Sequence, residues 1–573
     1  MRLRRIEIEN FKGIGKRQAI DLKPITLLFG PNNAGKSTIL QVLHYMRELL
    51  ERQNPDPDQT IAGGLIDLGG FRALVHNHEL NRAITIKLVI DLSEDLGNDR
   101  LPLNSGIHLG DTEFANLDIL YIFGGDTDFN KHAVVQELGV MVEVCWSDLL
   151  MGPYVSLLSL DMNGIQILSI KSPPQKGRAI ITDFNFEHPL LQRIIYQDDI
   201  VEDDELYQGD LPGHIDEGDP FSSPLGAEIW ELSRDMAKGT PTFAEDNFRV
   251  TVSTPMGALP NPNKPLDLEL RDPEVDKPEL EQSTSRVRGL ATLLDELVLG
   301  PVRVANDYLS GMTYIGPLRE IPTRNFRPRL SPDESRWARG LAAWDLLYSD
   351  VKGDLVDAVN QWLGDEAKLR TGYQLERVVF REIPVPSRLS FLFERGLTED
   401  DLGELQELYE NLETRVEVAL RDFEKDILVA PDDIGVGISQ MIPVVVGCLT
   451  DSVNFLAVEQ PELHIHPALQ VAMGDLLIRS AFSNKSDFLS AKSLLVETHS
   501  EHIMLRLLRR IRETFEGELA PGTPSLTPDA VSVIYVEAGE DCVKFYSLRI
   551  DEEGEFVDRW PRGFFDERVE ELF

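Results

Sequence analysis

The most chemically specific run in the chain is Gly30-Pro31-Asn32-Asn33-Ala34-Gly35-Lys36-Ser37-Thr38. It has the GxxxxGK[ST] spacing, follows the apolar Ile25–Phe29, and opens Ser37–Leu50, whose apolar residues recur at helical spacing. Gly30 and Gly35 let backbone N–H groups turn inward around phosphate oxygens, with Asn32 and Asn33 completing the loop. A helix that begins there adds the positive end of its dipole. Lys36 is spaced to reach β- and γ-phosphates, Ser37 to ligate Mg²⁺, and Thr38 to enter the helix. The chemistry is the binding of a nucleoside triphosphate with Mg²⁺. The run alone does not choose among the many proteins that do this.

Three later runs narrow the choice. Phe455–Glu462 is an apolar strand ending in Glu459-Gln460-Pro461-Glu462, and a buried strand that aims one carboxylate at a Mg²⁺ shell has this form. Upstream, Ile434-Gly435-Val436-Gly437-Ile438-Ser439-Gln440 is a Gly-rich turn leading into the apolar Met441–Leu449, an anion site at a helix start. Downstream, Leu494-Leu495-Val496-Glu497-Thr498-His499 is a strand followed by a histidine.

Several elements must position these groups. Residues 1–30 read as two strands around the turn at Phe11-Lys12-Gly13-Ile14, and residues 83–91 alternate like a strand. Val155–Leu160 and Gly164–Ile170 are strand-like within a turn-rich stretch. Residues 286–310 read as a helix interrupted near Gly300-Pro301, and residues 399–426 as a charged amphipathic helix. The expected boundaries are 1–100 for the N-terminal lobe, 101–312 for a mixed insertion, 313–524 for the C-terminal lobe and 525–573 for a small β-rich cap. Asp198–Asp219 holds ten acidic residues and no Lys or Arg. It reads as a solvated loop or as a docking surface for a basic partner.

The four runs, in this order along the chain, resemble the SMC-, RecF- and OLD-like branch of ABC ATPases. Pro461-Glu462-Leu463-His464-Ile465-His466-Pro467 and Thr498-His499-Ser500 look like runs of OLD-type ATPases. Tyr314–Glu320 is similar to a run common to the group, and Trp560-Pro561-Arg562-Gly563-Phe564-Phe565-Asp566 resembles an uncharacterised C-terminal domain attached to many bacterial ATPases of this type. The resemblance implies an α/β fold, the ABC-type head: a P-loop lobe plus a signature-containing lobe, here with a mixed α+β middle insertion and no long coiled coil. It implies ATP and Mg²⁺ as cofactors. It also implies a homodimer, or a higher even oligomer, whose heads sandwich ATP between Lys36 of one copy and Ser439 of the other, flanked by Gly437 and Gln440. His499 falls at the switch histidine that touches the γ-phosphate, and His466 where transporters keep the D-loop aspartate.

The chain departs from that pattern in three places. The residue after the Walker B acid is usually the glutamate that activates water, and here it is Gln460. Glutamine can orient a water but cannot take its proton, so either hydrolysis is slow or the nearby Glu462 substitutes. There is no obvious Q-loop glutamine before residues 83–91, which leaves His76 as a candidate near Mg²⁺ and an ordinary loop histidine as the alternative. Val533–Asp541 looks superficially like the acidic strand end of the TOPRIM nuclease that OLD proteins carry, but the stretch after Asp541 is too short for the rest of that domain. An intrinsic nuclease is not expected.

Composition bounds the partners. The chain has 573 residues, 97 acidic against 56 basic, and a formal charge of −41. Such a surface repels a phosphate backbone as a whole, so any DNA contact needs a local basic patch. Arg319, Arg324, Arg327 and Arg329, with Arg336, Arg339, Phe326 and Trp337 nearby, form the candidate. Arg506, Arg509, Arg510 and Arg512 form a second group, and pairing with the abundant carboxylates is the competing explanation for both. No apolar run reaches about 18 residues, so no membrane span is expected. The charged N-terminus without an apolar stretch, and three scattered cysteines, point to a cytoplasmic setting without disulfides. The function these features imply is an ATP-gated sensor or clamp, acting in antiphage defence with a separate effector nuclease or toxin. A RecF-like repair or recombination ATPase is the alternative.

Overall fold

The computed structural model describes residues 1–59, 66–93, 135–174, 178–185, 188–189, 250–268, 280–324, 326–329, 334–451, 453–482, 492–539 and 542–561. The acidic stretch 198–219 and residues 562–566 of the C-terminal motif lie outside them. The chain forms two compact units. The first comprises Met1–Met312, Ser532–Arg549 and Asp558–Phe573; the second comprises Thr313–Val531 and Ile550–Val557.

In the first unit, strands β1 (Arg2–Glu9), β2 (Gln18–Asp21), β4 (Ile84–Asp91), β5 (Glu137–Ser147), β6 (Gly152–Met162), β7 (Ile165–Lys171), β8 (Ala179–Thr182), β9 (Val250–Ser253) and β10 (Asp267–Leu268) join in one sheet. Their order is β10-β9-β8-β7-β6-β5-β4-β1-β2. The pairing is antiparallel throughout, as in Ile6↔Leu88 and Val140↔Leu160. Alternation such as Leu138, Val140, Val142 and Val144 buried along β5 supplies one apolar face.

The same unit holds β3 (Ile25–Phe29), β17 (Val531–Ala538) and β18 (Val543–Leu548), in the order β3-β17-β18. Every residue of β3 is buried, Thr26 included, which accounts for its largely apolar sequence. The helix Lys36–Arg52 follows it and is buried along most of its length, His44, Arg47 and Glu48 included. The helix Leu280–Ser310 packs on that helix. It runs through Pro301 without the expected interruption. Buried Leu297, Val298, Val302, Ala305 and Leu309 hold its two halves to one core, which outweighs the lost backbone hydrogen bond.

β5 pairs with β4 and extends the N-terminal sheet. β17 lies beside β3, and Trp560 packs edge-on against Phe29 and Tyr535, at 5.7 and 6.0 Å between ring centroids.

In the second unit, β11 (Met312–Ile315), β15 (Phe455–Glu459) and β16 (Ser493–Glu497) lie in the order β11-β15-β16, the last two parallel. The helices Val436–Leu449, Pro467–Ala481 and Glu501–Glu516 belong to the same unit. A separate antiparallel sheet contains β12 (Tyr373–Arg381), β13 (Thr414–Asp422) and β14 (Ile427–Val429). β13 occupies part of the run expected to be helical. Val416, Val418 and Leu420 recur at every second residue, a strand period, and Val418 and Leu420 are buried.

Candidate functional site

The phosphate loop lies wholly in the first unit. Gly30 has φ 145° and Gly35 has φ 99°, conformations open to glycine. A β-carbon on Gly30 would lie 2.3 Å from the Val536 carbonyl oxygen, so β17 fixes how the loop leaves β3. Asn33 also sits in the left-handed region, at φ 65°. Gly35 is the N-cap of Lys36–Arg52 and supplies no side-chain acceptor, while its carbonyl accepts the Thr38 N–H at 3.1 Å; a helix start of this kind suits an anion. Lys36 is buried, and its Nζ donates to the carbonyls of Gly30 at 3.1 Å and Pro31 at 3.0 Å. Its ammonium is thus held over the loop's own backbone. Ser37 and Thr38 occupy the first turn.

His76 is in the same unit. Its Nδ1 lies 2.7 Å from the Lys12 carbonyl oxygen, and its ring sits where a β-carbon on Gly15 would be, 2.6 Å from Nε2. It braces the Phe11–Gly15 turn.

The second unit carries the acidic edge. β15 and β16 end side by side in Glu459 and Glu497, which are register partners. Tyr314, on β11, donates its hydroxyl to Glu459 Oε1 at 2.8 Å. Burial and then Glu459 and Glu497 hold the Tyr314 phenol far above its ordinary range, so it stays a donor.

Arg319 is buried against the same edge. Its guanidinium donates to the carbonyl of Glu459 at 2.6 Å, of Gln460 at 3.2 Å and of Gln440 at 3.3 Å. Its backbone N–H donates to Gln440 Oε1 at 3.1 Å, and Gln440 Nε2 donates to its carbonyl. Burial pulls the guanidinium down to about 10, still charged at neutral pH. Arg319 clamps the turn after β15 onto the Gly-rich turn, which removes it from the expected nucleic-acid surface.

Gln460 leaves the strand with φ 45°, its N–H donating to the Glu497 carbonyl at 2.7 Å. Glu462 has both carboxylate oxygens engaged: Oε2 accepts the Thr498 hydroxyl and Oε1 the His499 N–H, each at 2.7 Å. Burial pushes its carboxyl up. The turn following β15 is therefore stitched to the end of β16.

The Gly-rich turn closes on the same structure. A β-carbon on Gly437 would lie 2.4 Å from the His464 carbonyl oxygen. Ser439 is buried and donates to the Pro431 carbonyl at 2.7 Å. His466 is the N-cap of Pro467–Ala481, its Nδ1 accepting the Ala468 N–H at 3.2 Å.

The other arginines are largely committed within the chain. Arg324 pairs with Asp433 at 2.6 Å and Arg336 with Asp345 at 2.6 Å, while Arg327 and Arg329 are exposed. Asp475 and Glu513 receive Arg510, Arg506 pairs with Asp475, and Arg509 pairs with Glu513.

Sequence reasoning missed Tyr314 and Glu497 as members of the edge. A signal for Glu497 existed, since Leu456-Ala457-Val458-Glu459 and Leu494-Leu495-Val496-Glu497 are near copies. The Tyr314–Glu320 run marked the position but not its partner, which Tyr314 meets across 145 positions. Among the described residues no group of three or more His, Cys, Asp or Glu forms a metal cage. Mg²⁺ bound with a nucleotide takes most of its ligands from phosphates, water, one hydroxyl and one carboxylate; Ser37 offers a hydroxyl of this kind in the first unit and Glu459 a carboxylate in the second.

Residues 1–99 match the family described as the AAA ATPase domain. Residues 526–573 match a family described as a protein of unknown function, DUF3696. No curated protein matches the chain at a significant level. Among solved structures, the Pyrococcus furiosus Smc head domain with an extended coiled coil, bound to the C-terminal domain of ScpA, is similar at 11% identity over 96% of each chain, with a TM-score of 0.34. The SMC head domain from Thermotoga maritima is similar at 9% identity over 96% of this chain and 100% of that one, also with a TM-score of 0.34. At such TM-scores a match does not define a shared fold. Among the described residues no helix is long and apolar enough to cross a membrane.

Proposed function

We propose that the chain is an ABC-type, OLD-like ATPase that binds ATP with Mg²⁺, dimerises around it, and acts as a sensor or clamp for a separate effector in antiphage defence. The observation that carries the nucleotide reading is the loop itself. An uncapped helix start, two glycines at positive φ and the buried Lys36 ammonium together make a built anion cradle. The match of residues 1–99 to the AAA ATPase domain supports the same reading.

In this reading the loop N–H groups and Lys36 bind the β- and γ-phosphates, and Ser37 and Glu459 hold the metal. Bound Mg²⁺ neutralises phosphate charge. Tyr314 orients Glu459 through its hydrogen bond. Glu462 fixes the backbone of His499, the switch histidine, and so acts as a positioning residue. Arg319 and Gln440 keep the signature turn in register with the turn after β15. Dimerisation, the defence role and the effector are supported by the sequence resemblance, with Ser439 and Gly437 as the residues offered to the second copy.

The test is ATP turnover by the wild type and Lys36→Ala, with and without DNA, alongside mass measurement in Mg-ATP. The wild type should turn over ATP and double its mass with nucleotide, and Lys36→Ala should do neither. A wild type that stays monomeric in Mg-ATP overturns the dimer. Strong stimulation of turnover by DNA ends or gaps, with no partner present, would favour the repair ATPase.

A further inference from the structure

In the second unit, the helix Leu402–Glu410 has none of its nine residues buried. A helix this short is marginal in water by itself, so it depends on having an apolar side covered. Leu402, Leu405 and Tyr409 form such a side, recurring at i, i+3 and i+7. Yet Leu402 is 62% exposed and Tyr409 55%. Glu404 lies on another side of the helix, where its carboxylate accepts Arg388 Nε at 2.7 Å and a terminal guanidinium nitrogen at 3.1 Å. The neighbouring helix Arg388–Arg395 is thus tied to that side and not to the apolar one. At its far end the apolar side continues onto β12. The Arg381 guanidinium lies 4.5 Å over the Tyr409 ring, and Val379, on the same face of the strand as Arg381, is exposed.

The charge around this side has one sign. From Ser387 to Asn411 the two helices carry seven acidic residues and two basic ones. Both arginines are already taken, Arg388 by Glu404 and Arg395 by Asp401. Glu399 and Asp400 stand just ahead of the helix, and Glu410 flanks its apolar side. All three are exposed, and among the described residues no Lys or Arg pairs with them. An apolar stripe bordered by uncompensated carboxylates suits a surface with the opposite pattern, apolar in the middle and cationic at the rim.

We propose that this stripe is the docking surface for a basic amphipathic helix of a partner protein. The partner's apolar side covers Leu402 and Tyr409, and its lysines or arginines meet Glu399, Asp400 and Glu410. The same charges argue against the other occupants. A second copy would bring an equal surplus of carboxylates to the contact, and nucleic acid or anionic lipid would bring phosphates. The two long stretches outside the described residues, 94–134 and 190–249, are themselves richer in acid than in base. The surface lies within one unit and needs no nucleotide, so the proposal stands apart from the ATPase reading.

The probe is a dye-labelled peptide of Leu and Lys at amphipathic helical spacing, titrated with the full chain by fluorescence anisotropy across a salt series. The wild type should bind it, and should not bind a Leu and Glu peptide of the same spacing. Leu402→Ser combined with Tyr409→Ser should raise the Kd about tenfold or more. Glu399→Gln combined with Glu410→Gln should raise the Kd and flatten its salt dependence. Both double variants should melt like the wild type, because the altered side chains are exposed. Glu516→Gln combined with Glu518→Gln removes the same charge at exposed positions elsewhere and should leave the Kd within about twofold. Three results would overturn the proposal: no binding of the Lys peptide, an unchanged Kd after Leu402→Ser with Tyr409→Ser, or equal weakening by the two glutamate pairs, which would reduce the effect to the chain's general acidity. Two further arms test the other occupants. A nucleotide-free wild-type dimer that Leu402→Ser with Tyr409→Ser dissociates would make the occupant a second copy. Binding to phosphatidylserine vesicles that the same variant loses would make it a membrane, and either result overturns the proposal.

Discussion

The Glu462 carboxylate accepts the backbone N–H of His499 across 2.7 Å, and its other oxygen accepts the Thr498 hydroxyl at the same distance. This one side chain joins the turn after β15 to the start of the segment that follows β16. Glu462→Ala leaves two donors without their acceptor, at a cost of about 1–3 kcal/mol for each that stays buried. Thermal denaturation should show a lower melting temperature for Glu462→Ala, and turnover should fall with it. Thr498→Val removes one donor and should cost less. An unchanged melting temperature for Glu462→Ala would show that the stitch is not structural.

Gly437 and Gly435 make a matched pair two residues apart. A β-carbon on Gly437 would press within 2.4 Å of the His464 carbonyl, whereas one on Gly435 meets nothing within 4 Å. Gly435 also has an ordinary φ of −53°. Gly437→Ala should therefore separate the Gly-rich turn from the turn after β15, lowering the melting temperature and turnover. Gly435→Ala should be close to neutral. Equal effects of the two substitutions on melting and turnover would refute the close-approach argument.

The parts that local sequence can encode were legible. The phosphate loop is one contiguous motif, and β15, β16 and the Val436–Leu449 helix follow from apolar runs. The parts that were not legible depend on distant partners. Arg319 read as part of a basic surface because its neighbours are basic, yet it is buried against Glu459 and Gln440, more than a hundred positions away. The run 399–426 read as one helix: its first part is the helix Leu402–Glu410, but the period-two apolar positions of β13 decided a strand for the second. Nothing in the sequence of either strand states that β17 lies beside β3.

Lys492 gives a pH signature in the second unit. It is buried and donates to the Cys448 carbonyl at 2.7 Å and the Gly447 carbonyl at 3.4 Å, at the end of the Val436–Leu449 helix. Burial pulls its ammonium from 10.5 down to about 8. Its folded pKa lies below the unfolded one, so between about 8 and 10.5 the unfolded chain binds more protons. Stability contributed by this group therefore rises with pH across that window, by up to about 3 kcal/mol. Melting temperatures of the wild type minus those of Lys492→Met, measured from pH 7 to pH 10, should climb with pH. A flat difference would show that Lys492 is solvated in the fold.

Arg319 distinguishes a structural clamp from a nucleic-acid contact. Its fork reaches three carbonyls at once, those of Glu459, Gln460 and Gln440, with 3% of its surface exposed. Lysine keeps the charge but concentrates its donors at one point, so it cannot span all three. Arg319→Lys should lower the melting temperature and reduce turnover, leaving buried carbonyls short of donors at a cost of about 1–3 kcal/mol each. Arg324→Lys, at an exposed pair with Asp433, should change neither by more than the small value of a surface ion pair, about 0–1 kcal/mol. DNA affinity across a salt series supplies the contrast. If Arg319→Lys weakened DNA binding while its melting temperature stayed at the wild-type value, the clamp would be the wrong description and the arginine would face a ligand.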